Sequence, residues 1–291
     1  MKNKFFKNIK DILKTNHYMK NFVVFLPILF SMNLTNYSLL AKECIMFAAF
    51  CLISSSVYII NDLIDIEQDK LHPVKCKRPL ANGQISKNFA VILLIFLFAV
   101  SSFLSYRLNI YCLLALLSYF ILNIFYSLKL KNIVIIDVVC IAFGFILRIL
   151  SGCAAIWVVP SALIILLTFF VSLFFSFSKR KLELKVIQNK EFLRNSIKNC
   201  DEKILNQFIL INAILSIAFY FTYVLDEKTI LRAGSEYLYI TVIPFTLIFF
   251  RLLYLINLET QKDDPIIFIE NDFQLKILIL IFFITLIFLI V

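Results

Sequence analysis

The chain has 291 residues, of which 61% are hydrophobic and 16% are charged, with a mean hydropathy of +0.90. This composition excludes a soluble globular domain and indicates an integral membrane protein. Four glycines and six prolines favour long uninterrupted helices, and the sequence lacks the alternating ten-residue segments of a membrane β-barrel. The net charge of +10 belongs to loops at one membrane face, so it indicates topology rather than a nucleic-acid partner.

Several common kinds of site have no support in the sequence. Seven cysteines are scattered and lack a CxxC pair, so neither disulfides nor a zinc site is predicted. His17 and His72, the two histidines, have no serine or cysteine partner at a recognisable spacing, which leaves a nucleophilic triad unsupported. The chain also lacks the glycine motifs of Walker and dinucleotide-binding sites.

Residues 1–15 form the first predicted element. Phe5, Ile9, Ile12 and Leu13 share one side of a helix whose other side carries lysines. A helix with this pattern lies in the membrane interface. We therefore predict an interfacial amphipathic helix that leads into the first span.

Apolar runs long enough to cross a bilayer follow along the rest of the chain. They occupy residues 21–36, 41–60, 88–105, 110–126, 133–151, 158–178, 206–225, 236–257 and 274–291. The sequence therefore predicts an all-α membrane protein, a bundle of about nine transmembrane helices in one domain, residues 1–291. Two polar segments, residues 61–87 and 179–205, are its long loops.

The distribution of lysine and arginine predicts the orientation of the helices. With the N-terminus inside, the inside segments contain 24 of the 29 basic residues and the outside segments contain four. Arg148 lies within a span. Because positively charged loops stay in the cytoplasm, we predict a multi-pass protein of the cell or inner membrane whose N-terminus and long loops are cytoplasmic.

The sequence NDLIDIEQD, at the end of the second apolar run, contains the strongest candidate site. On one helix Asp62, Asp65 and Asp69 fall at about 0°, 300° and 340°, so their carboxylates share a stripe that Asn61 flanks. Hard oxygen donors in this arrangement suit Mg²⁺, which completes its shell with water and substrate phosphates. We predict a magnesium site for a diphosphate; the alternative is a solvated acidic end of a membrane helix.

A basic loop follows within ten residues of the aspartates. Lys75, Lys77 and Arg78 lie among turn-forming residues, and they offer point charges and a bidentate fork for phosphate oxygens. The alternative is that these cations anchor the loop to anionic lipid headgroups. Their closeness to the acidic motif favours binding of phosphate.

A second cluster runs from Tyr126 through Lys129 and Lys131 into the fifth predicted span. Within that span Asp137 and Arg148 share a stripe but lie about 16 Å apart along the axis, so they cannot pair with each other. An ionised residue inside the membrane faces a partner or a functional cavity. The sequence leaves both roles open, a functional site or a structural interhelical salt bridge.

A third cluster, SKRKLEL, follows the sixth predicted span. Lys179 and Arg180 could contact phosphate. Consecutive cations at the end of a helix are also common determinants of topology. The sequence does not decide between these roles.

These motifs resemble a known family. NDLIDIEQD is similar to the NDxxDxxxD signature of the UbiA-type intramembrane prenyltransferase superfamily, and the segments from Tyr18 to Pro27 and KRPLANGQIS are similar to its opening segment and its basic loop. The resemblance covers most of the chain. It implies a bundle of nine helices with a polar cavity that faces the cytoplasm.

One departure from the superfamily pattern narrows the resemblance. Most members carry a second aspartate-rich motif after the sixth span, where this chain has SKRKLEL. That sequence and the segment from Tyr126 to Gly152 resemble the decaprenyl-phosphate phosphoribosyltransferase branch. The resemblance implies phosphoribosyl diphosphate (PRPP) as donor, a polyprenyl monophosphate as acceptor, and a role in biosynthesis of the cell envelope.

We therefore predict a Mg²⁺-dependent transfer of 5-phosphoribose to a polyprenyl monophosphate. Asp62, Asp65 and Asp69 are the predicted catalytic residues and metal ligands. The predicted substrate-binding residues are Asn61, Lys75, Lys77, Arg78, Tyr126, Lys129, Lys131, Asp137, Arg148, Lys179 and Arg180. The sequence leaves open which cation meets which phosphate, the length of the lipid chain and whether the protein forms an oligomer.

Two other functions stay open at this point. A prenyltransferase would move a polyprenyl group from its diphosphate to an aromatic acceptor. A secondary transporter for an anion would also use inward-facing acidic and basic residues, but it usually has paired spans broken by glycine or proline, which are not evident here.

Overall fold

The structure is a computed structural model that describes residues 2–72, 74–186, 195–198, 200–258 and 264–290. The side chains of residues 2–6, 195 and 197 are not described. Within these ranges eight helical segments are long and apolar enough to cross a membrane. They are α3 (Tyr37–Ile64), α5 (Lys87–Leu108), α6 (Ile110–Leu128), α7 (Ile136–Ile156), α8 (Ala162–Val186), α10 (Glu202–Leu225), the segment Glu236–Asn257 that ends in α12 (Val242–Asn257), and α14 (Phe273–Ile290).

Short helices and 3₁₀ segments connect the long ones. The short helices are α1 (Lys2–Leu13), α2 (Leu26–Phe30), α4 (Ile66–Leu71), α9 (Asn195–Lys198), α11 (Glu227–Ala233) and α13 (Ile266–Asn271). The 3₁₀ segments are Thr15–Phe25, Lys75–Lys77, Leu130–Asn132 and Glu236–Thr241. The prediction of an all-α membrane protein is confirmed.

The first predicted span, residues 21–36, differs from the prediction. It consists of the end of the 3₁₀ segment Thr15–Phe25, the single short helix α2, and a turn. Pro27 lies in the first turn of α2, where its missing N–H is tolerated, but it prevents one helix from continuing through this point. The described residues thus contain eight long apolar helices rather than nine.

Polar side chains cap the N-termini of several helices. The side chain of Asn36 accepts hydrogen bonds from the backbone N–H groups at the start of α3, and Ser86, Asn109 and Asp201 cap α5, α6 and α10 in the same way. Such caps satisfy N–H groups that have no partner within the helix. The caps and the apolar runs between them explain why the boundaries follow the sequence closely.

The chain divides into two compact units. The first unit comprises Met1–Lys131 and Ile146–Pro160, and the second comprises Asn132–Phe145 and Ser161–Val291. Helix α7 contributes residues to both. The NDLIDIEQD motif and its basic loop lie in the first unit, whereas Asp137 and the SKRKLEL segment lie in the second.

Each unit has an apolar core of its own. In the first, Met46, Phe50 and Ile53 of α3 are fully buried against residues of α2, α6 and the end of α7. In the second, residues of α8, α10, α12 and the first half of α7 pack together around Phe174 and Phe249. Many large apolar side chains remain exposed on the long helices, as expected for surfaces that face lipid.

Helix α1 forms where the sequence predicted an amphipathic helix. Its residue Ile12 is fully buried, and Ile9 and Leu13 pack beside it against Ile59 and Ile66. Phe5 lies outside the described side chains. The apolar side of α1 therefore contacts the first unit itself, and its placement in the membrane interface stays a prediction.

Gly152 marks a close approach between α7 and the segment before α2. A Cβ atom at this position would collide with the carbonyl oxygen of Val24 and lie 3.0 Å from Cγ of Pro27. Replacing Gly152 by alanine should therefore destabilise the first unit by about 1–3 kcal/mol. Thermal unfolding of the purified protein in detergent checks this; an unchanged unfolding temperature would show that the two segments separate without cost.

Candidate active site

The aspartate motif spans the end of one helix and the start of another. Helix α3 ends at Ile64, Asp65 adopts a non-helical backbone with φ −92° and ψ 7°, and α4 begins at Ile66. The prediction that one continuous helix carries the three aspartates was therefore wrong. The break at Asp65 interrupts the helical register on which the predicted stripe depends.

Two of the three carboxylates meet at one cation. Nη1 of Arg78 donates to Oδ1 of Asp62 at 3.1 Å and to Oδ2 of Asp69 at 2.7 Å. Both aspartates are almost fully buried. The basic loop thus folds back onto the acidic motif and places a guanidinium between the two carboxylates.

The third aspartate has a different partner. Both carboxylate oxygens of Asp65 accept hydrogen bonds from Nζ of Lys131, at 2.6 and 2.8 Å. Lys131 was predicted to bind phosphate, and in the structure it neutralises this carboxylate. The pair joins the end of α3 to the 3₁₀ segment Leu130–Asn132.

The second oxygen of Asp62 is a candidate position for a metal ion. Oδ2 is buried and has no hydrogen-bond partner among the described residues, and a buried carboxylate oxygen without a partner is costly. Together with Asp69, which shares the cation of Arg78, Asp62 presents two hard oxygen donors of the kind that Mg²⁺ uses. No group of three or more histidine, cysteine, aspartate or glutamate side chains in the described ranges is arranged to hold a metal. In the structure a guanidinium bridges Asp62 and Asp69, and Asp65 is paired with Lys131.

Lys14 is a member of the site that the sequence did not reveal. Its Nζ donates to Oδ1 of Asp62 at 2.7 Å, although 48 residues separate the two in sequence. Burial lowers the pKa of Lys14, and the charge of Asp62 opposes that effect. In the sequence, the N-terminal lysines have the pattern of charges at a membrane surface, and no local feature distinguishes Lys14 from the others.

The turn after Asp69 is organised around His72. Its Nδ1 accepts hydrogen bonds from the backbone N–H groups of Val74 and Lys75, at 3.2 and 3.4 Å. Burial and the charge of Lys75 lower the pKa of the imidazole, and the neutral ring is the form that can accept these bonds. Of the predicted phosphate ligands in this turn, Lys75 is half-buried and Lys77 is exposed.

The remaining predicted residues near the motif are more accessible. Asn61 and Tyr126 are half-buried, and Lys129 is exposed at the C-terminal end of α6. The structure places Lys129 two residues before the lysine that binds Asp65. It is close in sequence to Lys131 and lies in the same unit as the acidic motif, although 60 residues separate it from Asp69.

Arg148 lies in a buried polar network of the first unit. Its Nε donates to Oδ1 of Asn21 at 2.8 Å, and its Nη2 donates to the hydroxyl of Tyr119 at 3.0 Å. The guanidinium also lies 4.6 Å from the centre of the Tyr119 ring, in cation–π contact. The sequence predicted that Arg148 requires a partner other than Asp137. These contacts identify its partners and favour a structural role.

Asp137 has its partners in the second unit. Oδ2 of Asp137 accepts from Nε of Arg180 at 2.9 Å and from Oγ of Ser196 at 3.2 Å. Arg180 also donates from Nη1 to Glu183 at 2.8 Å. Asp137 and Arg180 are both buried. The structural alternative for Asp137, a salt bridge between helices, is therefore present.

The other cations of SKRKLEL are also paired. Lys179 donates to Oδ2 of Asp264 at 2.7 Å, and the almost fully buried Lys181 donates to Oδ1 of Asn257 at 2.6 Å. These residues belong to helix α8, so residues 179–186 of the predicted second loop are helical. Residues 187–194 and 199 of that loop lie outside the described residues.

Comparisons with known proteins agree with one another. The sequence profile of the UbiA prenyltransferase family matches residues 24–287. Decaprenyl-phosphate phosphoribosyltransferase of Mycolicibacterium smegmatis is 28% identical over 218 residues, which cover 72% of this chain and 69% of that protein. The enzyme of the same name from Corynebacterium glutamicum is 26% identical over 221 residues, with 74% and 66% covered, so the chain spans about two thirds of these relatives.

Solved structures show the same fold. A UbiA homolog from Archaeoglobus fulgidus, bound to GPP and Mg²⁺, superposes with a TM-score of 0.71 over 97% of this chain and 99% of that chain, at 18% identity. Another structure of the A. fulgidus homolog, bound to Cd²⁺, has a TM-score of 0.69. At 18% identity, this structural similarity shows that the two proteins share a fold.

Proposed function

Because the chain belongs to the UbiA prenyltransferase family and is a membrane transferase, we propose that it transfers 5-phosphoribose from PRPP to a polyprenyl monophosphate and releases diphosphate. The relatives named decaprenyl-phosphate phosphoribosyltransferase support this choice. The basic SKRKLEL segment also supports it, because a second acidic motif for a prenyl diphosphate is missing there. The integral membrane location follows from the eight apolar helices, and a cytoplasmic active site stays a prediction.

The observation that carries the proposal is the convergence of Asp62 and Asp69 on Arg78 in the first unit. Two buried carboxylates can hold a divalent cation, and the guanidinium beside them can bind phosphate oxygens in a bidentate manner. A donor with a diphosphate leaving group needs both kinds of group. The negative carboxylates can therefore bind the metal ion, and the positive guanidinium can bind the diphosphate.

Asp62 and Asp69 would hold the magnesium ion, and we propose the same role for Asp65 after its release from Lys131. When bound, Mg²⁺ would neutralise charge that develops on the departing diphosphate. A UbiA homolog from A. fulgidus binds Mg²⁺, which supports this choice of metal. Asn61 flanks the ligands.

The cations of the first unit would stabilise the leaving group. Lys75, Lys77 and Arg78 lie in the loop that folds onto the aspartates, where they can bind the oxygens of the diphosphate. We propose that Lys129 and Lys131 of the first unit, and separately Lys179 and Arg180 of the second, bind the 5-phosphate or the lipid phosphate, and that Tyr126 also binds substrate. Asp137 and Arg148 are held by protein side chains, which favours a positioning role for both.

The chemistry needs no strong general base. A phosphate monoester has its second pKa near about 6, so the lipid phosphate is already a dianion for the most part at neutral pH. One of its oxygens would attack the anomeric carbon of the ribose while the bond from that carbon to the diphosphate oxygen breaks. A single displacement inverts the configuration at this carbon. This accounts for an active site without a catalytic histidine.

The test is an assay for product with both candidate donors. Membranes containing the protein are incubated with labelled PRPP and a polyprenyl monophosphate, and a labelled phosphoribosyl lipid is expected only when a divalent metal is present. Membranes without the protein and samples with a chelator serve as controls. Absence of this lipid would contradict the proposal.

A second candidate is the prenylation of an aromatic acceptor. The family assignment and the GPP-bound homolog favour it, and the acidic pair with Arg78 would serve a prenyl diphosphate equally well. It predicts no labelled phosphoribosyl lipid in that assay and a prenylated aromatic product when the same membranes are incubated with a polyprenyl diphosphate and an aromatic acceptor. The transporter alternative has no such support, because the relatives are transferases.

A further inference from the structure

Lys14 lies at a strained turn between α1 and the 3₁₀ segment that follows. Its backbone is left-handed, with φ 51° and ψ 47°, a conformation that residues other than glycine adopt at a cost. The turn is held in place by α3, because Oγ of Ser55 donates to the carbonyl oxygen of Leu13 at 2.8 Å and contacts the hydroxyl of Tyr18 at 2.8 Å. The fold therefore holds this lysine in place through a backbone conformation that is unfavourable by itself.

The side chain of Lys14 is directed into the candidate active site. Its Nζ lies 2.7 Å from Oδ1 of Asp62 and 5.0 Å from the centre of the Tyr58 ring, and the side chain is 16% exposed. The same Asp62 oxygen accepts from Arg78. Two cations from distant parts of the chain therefore compete for the carboxylate that is the best candidate ligand for a metal.

The acidic motif is balanced by charges of the protein. Asp62, Asp65 and Asp69 are paired with Lys14, Lys131 and Arg78, so three carboxylates face three cations. A divalent ion that binds the unpartnered Oδ2 of Asp62 would repel the cations held on Oδ1 and weaken their bonds to the carboxylate, with positive charges crowded around it. A diphosphate would compensate those charges, and conversely it binds poorly while the cations are held by the aspartates.

We propose that Lys14 is a diphosphate-binding residue that exchanges Asp62 for the diphosphate when a metal ion binds, and thereby couples the binding of the two ligands. The inference rests on the proposed function, because it requires a donor with a diphosphate group. By linkage, each ligand then raises the affinity for the other by the same factor. The coupling is a property of Lys14 and Asp62, separate from the identity of the group that is transferred.

Inorganic pyrophosphate and Mn²⁺ are the probes for this coupling. Binding of Mn²⁺ to the full-length protein in lipid nanodiscs is measured by electron paramagnetic resonance at fixed free metal, with and without pyrophosphate. Binding of radiolabelled pyrophosphate is measured in parallel by equilibrium dialysis. For the wild type we expect pyrophosphate to raise the affinity for Mn²⁺ by at least about tenfold.

Lys14→Met should change the two affinities in opposite directions. Methionine keeps an unbranched stem over Tyr58, while the competing charge at Asp62 is gone. We expect Mn²⁺ alone to bind as well as in the wild type or more tightly, pyrophosphate to bind more weakly, and the coupling factor to fall by about fivefold or more. Lys10→Met is the matched control, because Lys10 is exposed on the preceding helix α1, and it should behave as the wild type.

Lys14→Arg guards against a trivial loss of folding. It keeps the positive charge and should retain most of the coupling, whereas a variant that only perturbs structure would not be rescued by charge. Equal weakening of Mn²⁺ and pyrophosphate in Lys14→Met would overturn the proposal, and so would wild-type coupling in that variant. If the wild type binds neither Mn²⁺ nor pyrophosphate, both the proposed metal–diphosphate site and the proposed role of Lys14 are wrong.

Discussion

Replacing Asp62 by asparagine should lower the rate of metal-dependent phosphoribosyl transfer at least about a hundredfold. The substitution keeps the size of the side chain but removes the charge that a divalent ion requires. It also removes the common partner of Lys14 and Arg78. The measurement is the initial rate of formation of phosphoribosyl lipid at saturating PRPP, with Mg²⁺ varied.

Glu67→Gln is the matched control for this prediction. Glu67 lies on α4 between the aspartates, but its side chain is 76% exposed and pairs with Lys70 at the surface, and such pairs contribute little. Its removal should change the rate less than about twofold. Near-normal activity of Asp62→Asn would remove this residue from the metal site.

Asp65→Ala separates a three-ligand site from a two-ligand site. We expect it to abolish Mg²⁺-dependent transfer as well, because all three aspartates are proposed as ligands. Retained activity would rule out Asp65 as a ligand and would leave Asp62 and Asp69, the pair that the structure joins through Arg78. Its bond to Lys131 would then be purely structural.

Replacing Arg180 by methionine is expected to have the largest effect on stability, a loss of about 3–5 kcal/mol. The change leaves Asp137 buried without a cation, with the hydroxyl of Ser196 and the backbone N–H of Val138 as its described partners, and an uncompensated buried carboxylate is strongly destabilising. Thermal unfolding of the purified protein in detergent measures the effect. Lys179→Met is the control, because Lys179 and Asp264 are both partly exposed and their separation should cost less than about 1 kcal/mol.

The double variant Arg180→Met with Asp137→Asn tests the cause of that loss. Removing the second charge should recover most of the stability, because the penalty comes from the unpaired ion. The same variants then report on function. If the double variant folds but no longer transfers phosphoribose, Arg180 or Asp137 also serves the reaction, whereas full activity would restrict both to a structural role.

The position of most helices could be predicted because a membrane span is a local property of composition. The second predicted run, residues 41–60, contains most of α3, and the runs from residue 88 onward agree with the long helices that follow. The first run failed because its mean apolar character conceals Pro27 and the polar residues after it, such as Ser31, Asn33 and Asn36. The break at Asp65 was missed for a related reason, since helical periodicity carries no information about where a helix stops.

The candidate site could be predicted in part. The acidic motif and Arg78 lie within a short stretch of chain, so their spacing suggested that they would meet, and the structure brings Asp62, Asp69 and Arg78 together. Lys14 could not be found in this way. Nor could Asp137 be identified as the partner of Arg180, because 43 residues separate them, whereas Glu183 follows Arg180 by three residues and is its neighbour on α8.

The sequence by itself determined the class of protein, the approximate spans and the stretch that bears the carboxylates, because these depend on residues close to one another in the chain. Only the tertiary structure decided which cation neutralises which aspartate: Lys14 reaches Asp62 across 48 residues and Lys131 reaches Asp65 across 66. In an interior of low polarity, a buried charge is strongly destabilising unless an opposite charge pairs with it. Which partner it finds is set by the packing of helices, and the order of residues does not contain that choice in any local pattern.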